Sequence, residues 1–171
     1  MALTKINNNT LSAITGLPAG VGGKVLQVVS VTKDSTFTTT STSFVDVTGL
    51  SVSITPSSSS NKIAVLFNIS ISNTQGTAAT LTRLLRDSTP ISIGASGTGV
   101  QATGHAALAA EYDQENVSIS YLDSPSTTSA TTYKVQLKTE NASYTATLNR
   151  GSMTSNYGLT ASTITVMEVA G

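Results

Sequence analysis

Cysteine is absent, so the chain has no disulfide, no thiolate metal site and no nucleophilic thiol. Tryptophan is absent too, and aromatic residues make up only 5% of the sequence. Sugar-binding platforms are therefore reduced to Tyr112 and Tyr157, which fall in predicted loops, while Tyr121, Tyr133 and Tyr144 fall on predicted strands. Charge is scarce: 11% of residues are charged, against about 25% in an ordinary soluble domain. Nine basic residues balance nine acidic ones. The basic residues are scattered singly and form no stripe, so nucleic acid is not an expected partner. No apolar run approaches the length of a membrane span, and the first residues lack the apolar core of a signal peptide, so no membrane insertion is expected. Zero net charge gives weak colloidal repulsion, a handicap for a free monomer but not for a subunit of a larger particle.

What the chain does have is serine and threonine in the polar positions of a period-two pattern. Leu50, Val52 and Ile54 alternate with Ser51, Ser53 and Thr55, as in a strand with one buried face. The pattern recurs along the sequence. Strands are predicted at Val25 to Val31, around Ser43 to Val47, at Leu50 to Thr55, at Ile63 to Ser72 (the longest), at Thr80 to Arg86 and at Ile91 to Ile93. Further strands are predicted around Val117 to Tyr121, around Tyr133 to Leu137, at Tyr144 to Leu148 and at Ser162 to Val169. Gly94 to Ala110 reads as a long connection with a helical turn over Ala106 to Glu111, and Tyr144 to Leu148 as the second arm of a hairpin through Glu140 and Asn141. About nine strands with almost no helix signal predict an all-β jelly-roll sandwich over residues 24–171, with the connections near 94–115 and 150–161 crossing between sheets.

Residues 1–23 differ in character and read as a short irregular N-terminal arm. Ile6, Leu11, Ile14 and Leu17 are irregularly spaced before a Gly/Pro-rich end, and are the candidate anchors of a segment that orders on docking to a partner. Two strands carry bulk on both faces. In Ile164 to Val169, Ile164 and Val166 fall on one face, Met167 and Val169 on the other; in the longest strand Leu66 sits opposite the main apolar face. A two-layer sandwich buries one face of each sheet, so Leu66, Met167 and Val169 are the candidate subunit interface.

Catalytic chemistry is thin. His105 is the single histidine, and no G-x-S-x-G nucleophile elbow accompanies it. Glu111, Asp113, Glu115 and Asp123 form a loose acidic group without the glycine or ligand count of an EF-hand loop. Gly94 to Gly99 is glycine-rich but lacks a phosphate-binding pattern. Asn-x-Ser/Thr triplets at Asn8, Asn68, Asn116 and Asn141 are expected by chance in so hydroxyl-rich a chain. No catalytic residue, metal or cofactor is expected.

The segments GKVLQVVSVTKDSTFTTTSTSFVDVTGLSVSITPSSSSNKI, LDSPSTTSATTYKVQLKT and STITVMEVAG, with the leader ALTKINNNTLSAITGLPAG, resemble small tail-associated or fibre-like virion proteins of tailed phages, especially marine ones. The resemblance is weakest between residues 75 and 115. It implies a virion structural part, made in the host cytoplasm, whose β domain is similar to the trimeric jelly rolls of tumour necrosis factor and the complement globular heads. The implied partners are two further copies in a homotrimer, other virion proteins through the arm, and a host-surface glycan or protein. Three readings follow: a short tail fibre or tail-attached appendage, a capsid decoration or head-fibre protein, and, from another class, a carbohydrate-degrading enzyme.

Overall fold

A computed structural model describes residues 24–107, 113–151 and 158–171. The arm and its candidate anchors Ile6, Leu11, Ile14 and Leu17 lie outside these residues, as do Glu111, Tyr112 and Tyr157. The described residues form eleven strands: β1 (Val25–Lys33), β2 (Phe37–Thr39), β3 (Val45–Ile54), β4 (Lys62–Asn73), β5 (Ala79–Arg86), β6 (Thr89–Ile91), β7 (Gly104–Ala107), β8 (Glu115–Asp123), β9 (Thr131–Thr139), β10 (Ala146–Leu148) and β11 (Ser162–Val169).

Two antiparallel sheets result. In the first, β4 pairs with β8 on one side and with β11 and then β10 on the other, while β1 flanks β11 and β2 flanks β10. In the second, β3, β9 and β5 lie side by side, and β6 and β7 share the far side of β5. Apart from the three-residue strands β2, β6 and β10, the order is thus β8-β4-β11-β1 against β7-β5-β9-β3, with the chain passing repeatedly between layers. This is the expected jelly-roll sandwich.

The alternating apolar positions close the core between the sheets. Leu50, Val52, Ile63, Val65, Ile69, Val135, Leu137, Ile164 and Val166 are almost fully buried there. Each such side chain contributes about 1.5–3 kcal/mol by leaving water. Each end of the sandwich also carries a polar tie. Asn73 Nδ2 donates to Thr80 Oγ1 (3.1 Å) and Thr139 Oγ1 (3.3 Å), joining β4 to β5 and β9. At the other end Arg86 Nη1 donates to both oxygens of Asp123 (2.9 and 3.0 Å), and Tyr133 Oη donates to Asp123 Oδ2 at 2.7 Å. Burial, then the bond to Asp123, pushes the Tyr133 phenol well above its ordinary range and keeps it neutral.

Several expectations need correction. The strand expected at Ile91 to Ile93 is β6, Thr89–Ile91; the one expected from Tyr144 begins at Ala146; and β2 is not among the expected strands. The strands expected at Ser43 to Val47 and Leu50 to Thr55 are one, β3. It runs through Gly49, whose φ of 81° suits glycine, and the pairing with β9 is irregular between Asp46 and Ser51. Ala106 lies in strand β7, which pairs with β5, so no helical turn starts there. The first residue of β7, Gly104, leaves no room for a side chain: a Cβ would stand 2.7 Å from Val117 Cγ1. The hairpin through Glu140 and Asn141 does not form: β9 pairs with β3 and β5, whereas β10 pairs with β2 and β4 in the opposite sheet. The connection from β10 to β11 likewise returns to its own sheet rather than crossing.

Candidate functional site

The pairing register fixes what the outside of the first sheet looks like. Along β4 the side chains of Ala64, Leu66 and Asn68 point away from the core, because Ile63, Val65 and Phe67 fill it. Their cross-strand neighbours complete the rows. Val28, Met167, Ala64 and Leu122 stand side by side; Ser30, Thr165, Leu66 and Ser120 form the next row; Thr32, Thr163, Asn68 and Ser118 the third. None of these residues is charged. Val28 and Leu122 are 57% and 58% exposed and Leu66 is 37% exposed, so apolar surface faces water. A shallow groove of about 370 Å³ runs over Leu66 and Asn68, between Ser118 and Ser120 on one wall and Thr163 and Thr165 on the other.

All three candidate interface residues lie on this face. Leu66 is at its centre, Met167 is beside Ala64, and Val169 pairs with Lys62 and Val25 at the rim; Met167 and Val169 are half-buried. Toward the other end of β4 the outward positions Ser70 and Ser72 are buried, and Ser72 Oγ donates to Arg150 O at 2.7 Å. Asn149 and Arg150, just after β10, therefore lie against that half of the face, and among the described residues no strand or loop lies over the half carrying Leu66, Met167 and Val169.

A residue that the sequence reading missed holds the rim in place. Glu168 lies between Met167 and Val169 and points the opposite way, into the sandwich, where it is 1% exposed. Its Oε1 accepts from the Ser57 backbone N–H (2.7 Å), Ser57 Oγ (2.7 Å) and Asn61 Nδ2 (2.6 Å), and its Oε2 accepts from Gln27 Nε2 (2.6 Å). Burial by itself favours the neutral acid. The donors from Asn61, Gln27 and Ser57 outweigh it and hold the carboxyl down at about 2, so Glu168 is ionised. Gln27 also reaches Thr55 O (2.8 Å), and Asn61 Oδ1 accepts from the Gly171 N–H (3.2 Å). One carboxylate thus ties β1, the Ser57–Asn61 turn and β11 together beneath the exposed Val25 and Val28 and the half-buried Met167.

The other candidates do not assemble. Glu115 and Asp123 stand at opposite ends of β8, about 27 Å apart for a nine-residue strand. Asp123 is the buried partner of Arg86, not a member of an acidic cluster. His105 is exposed on β7 opposite Leu81, beside a pocket of about 290 Å³ lined also by Gly94, Val100 and Gln101. The loop forming that pocket is fastened at its base: Arg83 Nη2 donates to Gln101 O (2.7 Å), and Thr103 Oγ1 accepts from Leu84 N (2.8 Å). Among the described residues no group of three or more His, Asp or Glu side chains is placed to hold a metal.

No family model matches the sequence. No curated protein matches it either. Among solved structures, a chain from "Structure of infectious bursal disease virus Gx strain" is similar over 84% of this chain, at 11% identity and a TM-score of 0.45. The match covers 41% of the virus chain, so this protein spans less than half the length of that neighbour, and the likeness assigns it neither a partner nor a role.

Proposed function

We propose that the protein is a structural component of a tailed-phage virion, a homotrimer whose subunits meet on the outer face of the β8-β4-β11-β1 sheet. The carrying observation is that face: uncharged across three rows, apolar at Val28, Leu66, Leu122 and Met167, and braced from below by Glu168. Exposed apolar surface framed by hydroxyls suits burial against a second protein surface. The trimer and the phage setting rest on the resemblance of the sequence to fibre-like virion proteins. On this reading the protein is a short tail fibre or tail-attached appendage, with no enzymatic activity and no cofactor. Residues 1–23, through Ile6, Leu11, Ile14 and Leu17, attach it to another virion protein. The glycine-rich loop from Ser92 to Thr103, on the opposite sheet, is then the part free to touch a host-surface glycan or protein.

The test has two parts. Sedimentation of the purified chain should give a trimer, and a stable monomer would remove the reading. Electron microscopy of intact particles should find the protein on the tail. Finding it on the shell instead would make it a decoration protein with the same fold and the same contact face. Deletion of residues 1–22 should leave a folded trimer that no longer joins the particle.

A further inference from the structure

The sheet edges differ in how they are finished. β1 carries a register shift between Val25 and Gln27, and β3 an irregularity between Asp46 and Ser51. Interruptions of this kind bend an edge and spoil it as a template for another strand. β8 is different. It pairs with β4 through nine consecutive rungs, Glu115 to Asp123, without a shift, and no strand lies on its other side among the described residues. Between Asn116 and Leu122 it has no charge and no proline, the two residue classes that ordinarily blunt an edge. Gly104 lets β7 close on Val117, but beyond that point Ile119 and Tyr121 are only half-buried.

We propose that the β8 edge pairs with the β8 edge of a second copy, joining two first sheets into one continuous antiparallel sheet. This is separate from the face contact and does not depend on it. The occupant must be a strand, because alternate residues of β8 give their N–H and C=O groups to β4 and the intervening residues turn theirs outward. A second copy fits by its own complementarity. In an antiparallel two-fold arrangement centred on Ser120, Ile119 lies opposite Tyr121, an aliphatic–aromatic pair of the kind that stabilises neighbouring strands, and Ser118 lies opposite Leu122. Val117 faces Asp123, so no acid meets an acid.

Amide hydrogen exchange on the full chain at low and high protein concentration tests this. The outward amides between Ser118 and Leu122 should slow about ten-fold or more at high concentration, while amides on the β3 edge stay unchanged. Equal exchange of the β8 amides at both concentrations overturns the proposal. In Met167→Lys, which disturbs the face and not the edge, the slowing should persist. If it vanishes, the protection belongs to the face and the edge proposal falls. Ser120 also borders the face, so the cross-link is read in the Met167→Lys background: the chain has no other thiol, and there Ser120→Cys should still oxidise to a disulfide-linked dimer where Ser53→Cys, on the interrupted β3 edge, does not; equal yields, or a Ser120 cross-link lost with Met167→Lys, count against the pairing.

Discussion

The two sheets present opposite outer faces to solvent. Outside the first, Val28, Met167, Ala64 and Leu122 lie beside rows of serine, threonine and asparagine, with no charge among them. Outside the second stand Asp46, Arg83, Lys134, Gln136 and Lys138. There Lys134 Nζ reaches Asp46 Oδ2 and Gln136 Nε2 reaches Asp46 Oδ1, each at 2.7 Å, and the Arg83 guanidinium lies 3.9 Å from the centre of the Phe44 ring. Yet the strands of both sheets show the same period-two pattern and share one core. The difference teaches that the scarce charge in this chain is placed rather than diluted: the face that needs solvation has it, and the face proposed to meet another subunit does not.

Substitutions can break that contrast. The largest effect is expected from Leu66→Lys with Met167→Lys. Sedimentation should show self-association weakened about 100-fold or more, roughly 3 kcal/mol, with the thermal midpoint little changed. Lys134→Glu on the opposite sheet should leave association as it was; equal losses on both faces would erase the distinction.

Next comes Glu168→Ala, which leaves Asn61, Gln27 and Ser57 without their acceptor beneath the uncharged face. Denaturant titration should show a loss of about 3 kcal/mol. The sign of the pH effect follows from the depressed carboxyl. Its contribution is fully present above the ordinary glutamate value of 4.5 and is lost as pH falls toward about 2. The wild type should therefore lose stability over that acid window more steeply than Glu168→Gln, and parallel curves would disprove the assignment.

Asp123→Asn, at the tie between the sheets, weakens the partner of Arg86 and Tyr133 without emptying the site. A loss of about 2 kcal/mol in the same measurement is expected. The smallest effect should come from Asp46→Asn. The hydrogen bond from Lys134, then that from Gln136, holds the Asp46 carboxyl below its ordinary value, but the group is exposed, and surface pairs of this kind contribute at most about 1 kcal/mol. A larger loss would mean that the charged face also carries structural load.

Much of the fold was legible because period two reports which side of a strand is buried. It placed β4 and β11 nearly to the residue and put Leu66, Met167 and Val169 outside. It does not report which strand lies alongside. Ala146 and Leu148 fit either sheet equally well, so the false hairpin with β9 was undetectable from alternation. Gly49 looked like a break because a glycine between threonine and leucine resembles a turn; the structure uses its left-handed backbone inside one strand. Glu168 had a readable signal. It shares the parity of Ile164 and Val166, and an acid on the buried side of a strand requires donors nearby. Those donors, Gln27, Ser57 and Asn61, are distant in sequence, and only the folded chain brings them to it.

The hydroxyl rows have a further consequence. Ser30 Oγ and Thr165 Oγ1 sit 2.8 Å apart across β1 and β11. Neutral pairs of this kind, set beside aliphatic side chains, give dissolved ions little to screen. A contact built on the first sheet should keep its strength from dilute buffer to brine, so that assembly is decoupled from the ionic strength of the surroundings.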